Sequence, residues 1–473
     1  MHLKNKQTFK KFISTPLLKI IKDDFLSQKD DFEKIYRYEI EIENIPDNYD
    51  PADWLLEQED PVKTYWSGRD RSFCVAGIGY ADLFSDSFNR NSDSEYFAQD
   101  IFKLMETRIS NADKPLKYFG CLAFDMKDRI DSLWESFGKS YFMIPKVELY
   151  KSKKKYYIAA NILYSPQNGK SRKELYDEMR GFIETIQAGT NLSEEKNFKY
   201  LSRKDTPDKD RWERNVNQAI SVFNFEGINK IVLSRKSIFK LQENIDPLLF
   251  FSMLKKINIE TYDFYFQNKN NNAFMGCTPE LLFSRQDSKI YSEAIAGTIL
   301  LGKNTKEEKA FGEDLLKSKK DSDEYKFVFD SVKRDLEKMC SDVSVVKKRE
   351  ILKLSYAQHI YSQFEGNLKP AVDDFKIIST LHPTPAVSGY PKINIGSLIK
   401  RYETFFRGFY GAPVGWIGKD SSEFAVGIRS GVVNDGSLSI YSGAGIVKKS
   451  SPELEWNEIE NKISPFLKIL QGK

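Results

Sequence analysis

At roughly 150 residues per domain, a 473-residue chain allows about three domains, or one large α/β unit that absorbs most of it. Hydrophobic residues make up 40% and aromatics 14%, enough for a sizeable core, which excludes a disordered chain. The 72 basic and 68 acidic residues leave a net charge of +4 with no long block of one sign, which argues against a nucleic-acid binder working by bulk electrostatics.

Cys74, Cys121, Cys277 and Cys340 lie far apart with no CxxC pair, so neither a zinc ribbon nor a secreted disulfide scaffold is expected. With three histidines, His2, His359 and His382, a histidine-rich metal centre is excluded by count. Any divalent ion must be held by carboxylates, which favours magnesium over zinc.

In chain order, MHLKNKQTFKKFISTPLLKII is basic but lacks the continuous apolar run of a signal peptide, and no later stretch approaches a membrane span. A cytoplasmic protein is expected. Residues 1 to about 45 read as helical and charged. From Asp60 to Asn161 the texture is β-rich, with SFCVAGIGYADLF, KYFGCLAFD, SYFMIPKVELY and KKYYIAANILY separated by turn residues. KSRKELYDEMRGFIETIQA at 170–188 predicts an amphipathic helix, and the polar stretch 189–208 a linker. These signals divide the chain into a β-rich N-terminal portion, 1–200, packing on a second portion, 201–473.

Beyond the linker, RWERNVNQAISVFNF predicts a helix leading into the strand KIVLSRKSIF. A helix at 246–257, a strand pair around 261–285, the strand YSEAIAGTI and a long charged helix over about 305–340 follow. Gly408 to Val447 is Gly-rich and β-like, and a helix closes the chain. Segregated strands and helices imply an α+β fold, large antiparallel sheets layered with helices on the outside. No GxGxxG follows a strand and no GxxxxGK[ST] occurs, so dinucleotide and P-loop sites have no support.

Two helical segments present acids at i, i+3: Asp321 and Glu324 in DSDEYKF, and Glu455 and Glu458 in PELEWNEIENK, with Lys462 one turn later. Alone, each pair is an ordinary solvated helix face; together they could supply the oxygens a magnesium ion takes. Folding the strand EFAVGIRSGVV onto SLSIYSGAGIV about Asn434–Gly436 sets Arg429 within a position or two of Gly443. That offers a guanidinium fork beside a Gly-Ala-Gly backbone. Taken singly, Lys230, Glu280 and His359 have ordinary structural explanations.

The motifs KIVLSR, FMGCTPELLFSR, EAIAGTI, SKKDSDEY, QHIYSQFEG, LHPTPAVSGYP, RGFYGAPVGW, EFAVGIRS and SGAGIVKKSSPELEWNEIENK occur in the order seen in chorismate-utilising enzymes. Over residues 210–465 the chain resembles the isochorismate synthases of that family. The resemblance implies Lys230 as the base that activates water for attack at C2 of the chorismate ring, and Glu280 as the acid that protonates the departing C4 hydroxyl. It places Asp321, Glu324, Glu455 and Glu458 at a magnesium site, with Glu324 and Glu458 first in line as direct ligands. Arg429, Tyr410, Lys462 and the backbone of Gly443, Ala444 and Gly445 would hold the substrate carboxylates, and Gly297, Thr298 and His359 would line the ring site. A monomer is expected. One departure is plain, for the family usually has Glu-His where this chain has Glu324-Tyr325. The resemblance leaves open salicylate synthase, anthranilate or aminodeoxychorismate synthase component I, and a non-catalytic chorismate-binding protein. LLEQ at 55–58 echoes the tryptophan-binding motif of anthranilate synthases too faintly to count.

Overall fold

The computed structural model describes residues 6–86, 94–188, 198–223, 227–354, 357–393 and 395–471. Its strands are β1 (Lys34–Ile42), β2 (Lys63–Ser67), β3 (Phe73–Ser85), β4 (Lys117–Leu122), β5 (Ser140–Ser152), β6 (Lys155–Tyr164), β7 (Tyr200–Thr206), β8 (Lys230–Leu241), β9 (Tyr262–Gln267) and β10 (Ala273–Thr278). They continue as β11 (Leu281–Gln286), β12 (Lys289–Leu300), β13 (Cys340–Lys353), β14 (Ala357–Leu368), β15 (Gly389–Tyr390), β16 (Pro413–Gly418), β17 (Ser421–Val426), β18 (Ser430–Asn434) and β19 (Ser437–Val447).

All the pairings are antiparallel, and they trace two runs that meet on β5. One runs β1–β6–β5–β3–β2–β9–β10–β18–β19–β8, with β7 and β15 on the far edge of β8. The other runs β5–β4–β16–β17–β11–β12–β14–β13. Strands from either side of residue 200 therefore pair directly, β2 with β9 and β4 with β16.

Core composition explains the layering. One apolar cluster takes Trp66, Val75, Phe264 and Val432 from the first run and Phe119, Val414 and Ala425 from the second, so it lies between them. A second cluster joins the first run to the helices Thr15–Phe25, Arg172–Thr185, Pro247–Ile257 and Pro452–Gln471 through Leu17, Ile183, Leu254 and Phe466. A third joins the second run to Ser94–Ser110, Lys319–Met339 and Asp374–Leu381 through Phe102, Val332 and Ile377. The result is helix, sheet, sheet, helix, an α+β architecture as expected from the sequence.

Several local expectations need correcting. Residues 34–42 are a strand and not helix, because in KIYRYEIEI Tyr36, Tyr38, Ile40 and Ile42 alternate with Arg37, Glu39 and Glu41. Of the expected linker, 189–197 lies outside the described residues, while Tyr200–Thr206 pairs with β8. The helix expected over about 305–340 is two, Thr305–Lys317 and Lys319–Met339. Ser318 is extended between them, and its hydroxyl accepts from the backbone N–H of Asp321, a local bond that competes with helix continuation. The strand pair at 261–285 is three strands, and β13, β14 and the helix Ser94–Ser110 go unmarked by the sequence patterns. Finally, EFAVGIRSGVV is not one strand. It breaks between β17 and β18, where Arg429 takes the left-handed conformation at φ 51°.

Candidate active site

On β8 side chains alternate, so Ile231 and Leu233 enter an apolar cluster while Val232 faces the opposite way, into a cleft, and Lys230, on the same face as Val232, is buried behind the cleft wall against Glu324. β19 pairs with β8, placing Gly443 opposite Ser234 and Gly445 opposite Val232. The same alternation sends Ala444 into the apolar cluster, so its side chain takes no part in lining the cleft. The glycines are needed by space. A Cβ on Gly445 would lie 2.6 Å from Lys230 Cε and 2.8 Å from a Glu324 carboxylate oxygen, and one on Gly443 would lie 3.0 Å from the Tyr410 hydroxyl.

The second run supplies Gly297 and Thr298 from β12 and His359 from β14, and the turn between β10 and β11 supplies Glu280. Glu324 comes from the helix packed on β12, while Glu458 and Lys462 come from the last helix. The cleft encloses about 770 Å3, open solvent at its mouth included. Of the residues singled out in the sequence, it brings together Glu280, Gly297, Thr298, Glu324, His359, Tyr410, Arg429, Gly443, Gly445, Glu458 and Lys462, while Lys230 is buried just behind the wall, against Glu324. Asp321 and Glu455 do not line it and stand behind Gly297 and Glu458. Arg429 falls beside Gly443, as the hairpin argument anticipates, because Gly431 pairs with Ile440.

Charge in the cleft is organised pair by pair. The buried Lys230 ammonium lies 2.9 Å from Glu324, Lys462 lies 2.7 Å from Glu458, and Lys320 lies 2.9 Å from Glu455. Burial pushes Glu455 up, aided by Glu458. Burial also pushes Glu458 up, but Lys462, Lys320 and Lys230 outweigh it and hold this carboxyl below its ordinary range. Asp321 is raised by burial and by Glu324 and Glu458, although the Ser318 hydroxyl donates to it.

Glu280 has the opposite environment. Burial raises its carboxyl to about 7, Lys230 opposes the shift, Glu293 adds to it, and Thr384 donates a hydrogen bond at 3.4 Å. His359 is driven down to about 4 by burial and by Arg429, so it is neutral. Its Nδ1 lies 3.0 Å from the Gly297 carbonyl, which can only accept. The proton therefore sits on Nδ1, and the buried Nε2, without a partner among the described residues, offers a lone pair.

Arg429 donates to the Lys462 carbonyl at 3.0 Å, and among the described residues no carboxylate pairs with it, which leaves its charge for a ligand. Lys462 also donates to the Gly443 carbonyl at 2.8 Å, tying the last helix to β19.

Among the described residues, no three His, Cys, Asp or Glu side chains converge closely enough to form a metal cluster on their own. Two carboxylates, Glu324 and Glu458, do face the cleft. That donor set fits magnesium, which keeps waters and takes one or two carboxylates plus ligand oxygens, and does not fit zinc. Tyr325 is turned away and buried, its hydroxyl 2.7 Å from Ser362 on β14, so it props the helix carrying Glu324 against the sheet.

Sequence reasoning missed Thr384 and Lys320, although Thr384 stands inside LHPTPAVSGYP and Lys320 precedes Asp321 by one residue. LLEQ proves to be a helix end, its Gln58 donating to the carbonyls of Trp54 and Gln187.

A family model described as chorismate binding enzyme matches residues 23–471. The chain belongs to the chorismate binding enzyme family. Among similar proteins, the chloroplastic isochorismate synthase of Catharanthus roseus is 31% identical over 402 residues, covering 84% of this chain and 68% of that protein. The chloroplastic isochorismate synthase 2 of Arabidopsis thaliana is 35% identical over 410 residues, covering 84% and 70%. The fold matches the solved structure of MenF, the menaquinone-specific isochorismate synthase from Escherichia coli, with a TM-score of 0.83 over 97% of this chain and 99% of that one, at 24% identity. The nine ordered motifs thus pointed to the right family. No described helix is long and apolar enough to cross a membrane.

Proposed function

We propose that the chain is an isochorismate synthase, an isomerase that adds water at C2 of chorismate and expels the C4 hydroxyl. The observation that carries this reading is the pairing of unlike groups at one cleft: a carboxyl on its wall held near 7 by burial, and a lysine buried behind that wall against Glu324. A reaction with water entering and hydroxide leaving one ring needs a base and an acid. Lys230 takes a proton from the attacking water. Glu280, protonated, gives one to the C4 oxygen, which departs as water, so atoms and charge balance.

Chorismate is a dianion and meets cations on two sides. Arg429 and Lys462 offer donors beside the Gly443 backbone, and the Tyr410 hydroxyl, raised to about 12 by burial, stays a neutral donor. Glu324 and Glu458 would hold a magnesium ion, which when bound neutralises a substrate carboxylate and polarises the ring toward allylic substitution. Because Lys230 is paired with Glu324 at rest, that ion pair has to open before the amine can serve as a base. We assign the product to menaquinone supply over a catechol siderophore, on the long N-terminal half.

The test is to incubate the purified protein with chorismate and magnesium and separate the products by chromatography. Isochorismate alone, lost on chelation, is the expected result. Salicylate with pyruvate would make it a salicylate synthase. Unchanged chorismate with measurable binding would make it a non-catalytic binder.

A further inference from the structure

The β2–β3 hairpin of the N-terminal half ends in a turn carrying Arg69, whose guanidinium crosses to the catalytic half. It grips Glu293 of β12 as a fork, with nitrogen–oxygen distances of 3.0 and 2.7 Å, and it also donates to the carbonyl of Pro279. Glu293 is nearly fully buried and accepts further bonds from the Tyr361 hydroxyl at 2.8 Å and from the backbone N–H of Leu281 at 3.4 Å. The Arg69 guanidinium lies 5.0 Å from the centre of the Tyr262 ring.

The placement of those two backbone contacts matters. The Pro279 carbonyl belongs to the peptide plane just before the Glu280 Cα, and the Leu281 N–H to the plane just after it. Glu280 immediately precedes the slip in the pairing of β11 with β17 between Leu281 and Phe283; its carbonyl accepts from the Val426 N–H at 3.0 Å and its N–H donates to the Thr278 hydroxyl at 3.4 Å. One ion pair, with one partner from each half of the chain, braces the same two planes from the other side of the contact between the halves.

We propose that Arg69 and Glu293 are positioning residues for Glu280, so that the N-terminal half takes part in the reaction by fixing the direction of the acid. The inference rests on the reading of Glu280 as the proton donor. The charged groups facing Glu280 are Lys230 from β8, Lys462 from the last helix and Glu293 from β12, with the Thr384 hydroxyl as a neutral partner. Glu293 is thus both a brace and a source of negative potential, and its two effects can be separated.

The experiment measures kcat, KM and the pH profile of chorismate turnover, with thermal unfolding, for the full chain and for Arg69→Met, Arg69→Lys, Glu293→Gln and Glu280→Gln. Arg69→Met is expected to lower kcat by roughly 10- to 100-fold, as misplacement of a reacting group does, with KM changed less than about threefold because no substrate contact is lost. Arg69→Lys, which keeps the charge without the fork, falls in between. Glu293→Gln removes a negative neighbour, so the Glu280 proton is lost more readily. The alkaline limb of kcat then moves to lower pH, by roughly half a unit or more. Wild-type kcat in Arg69→Met together with an unmoved limb in Glu293→Gln overturns the proposal. So does a loss of activity that follows only the loss of folded protein. Should Glu280→Gln retain full turnover, the acid assignment itself fails and the positioning role falls with it.

Discussion

Of two of the clefts on this molecule, the larger has less chemistry in it. The larger holds about 1220 Å3, with Tyr80, Ser85, Ser132, Ser136, Asn268 and Asn272 among its walls. Its polar groups close on one another: Asn268 and Asn272 both donate to the Ser136 hydroxyl, at 2.9 and 2.7 Å, and Ser85 donates to the Phe137 carbonyl at 2.9 Å. Its charged residues, Glu135, Lys269 and Asp435, are exposed to water, which solvates and screens them. The smaller cleft, at about 770 Å3, sets Glu280, His359 and Arg429 out of bulk water with Lys230 buried behind its wall, where each charge is felt by the next. Volume marks where a ligand fits; desolvated, unlike neighbours mark where something happens to it.

That contrast can be broken most directly at its two poles. Lys230→Ala and Glu280→Gln should each lower kcat by about 10³-fold or more with the thermal unfolding profile kept, the scale of general acid–base catalysis; near wild-type rates in either would remove the acid–base pair. Gly445→Ala tests whether space in the cleft is set as tightly as the contacts imply. Its methyl group needs the room of Lys230 and Glu324, so kcat should fall about 10²-fold. Arg429→Ala should act on binding, raising KM for chorismate roughly 10- to 100-fold, the worth of a charge-assisted hydrogen bond; a change in kcat alone would contradict its role. The pH profile sharpens the picture further. Glu280 works as an acid, its carboxyl sits at about 7, and only the protonated form donates. kcat should therefore fall as pH rises through that value, by up to tenfold per unit, and a profile flat from pH 6 to 9 would exclude it. Asn270→Ala, in the wall of the larger cleft, should leave kcat/KM within about twofold, as exposed surface changes do.

The catalytic half was the more legible. β8, the helices at 209–222 and 247–257 and the closing helix follow from periodicity, and β18–β19 from the turn signal around Asn434–Gly436. Such signals are local and reach only a turn or a hairpin. The β2–β9 and β4–β16 pairings join segments about 200 and 300 residues apart, and no pattern within either segment names its partner. Arg69 went unseen for the same reason: a turn arginine carries no mark of the carboxylate it will meet. The break at Arg429 was hidden by an apolar run that reads as one strand, and the helix end at Ser318 by charged residues that continue the helical pattern on both sides. The family motifs supplied roles for residues that spacing could only place.

The last helix brings a consequence for how the protein comes to be active. All the strands precede Val447, whereas Glu458 and Lys462 lie beyond it, on a helix that docks through Ile459, Ile463 and Phe466. During synthesis every strand has been made before the ribosome reaches the residues that complete the cleft. Docking of that helix completes the cleft, so activity should count chains that have docked it, while any probe of sheet content counts undocked ones as well.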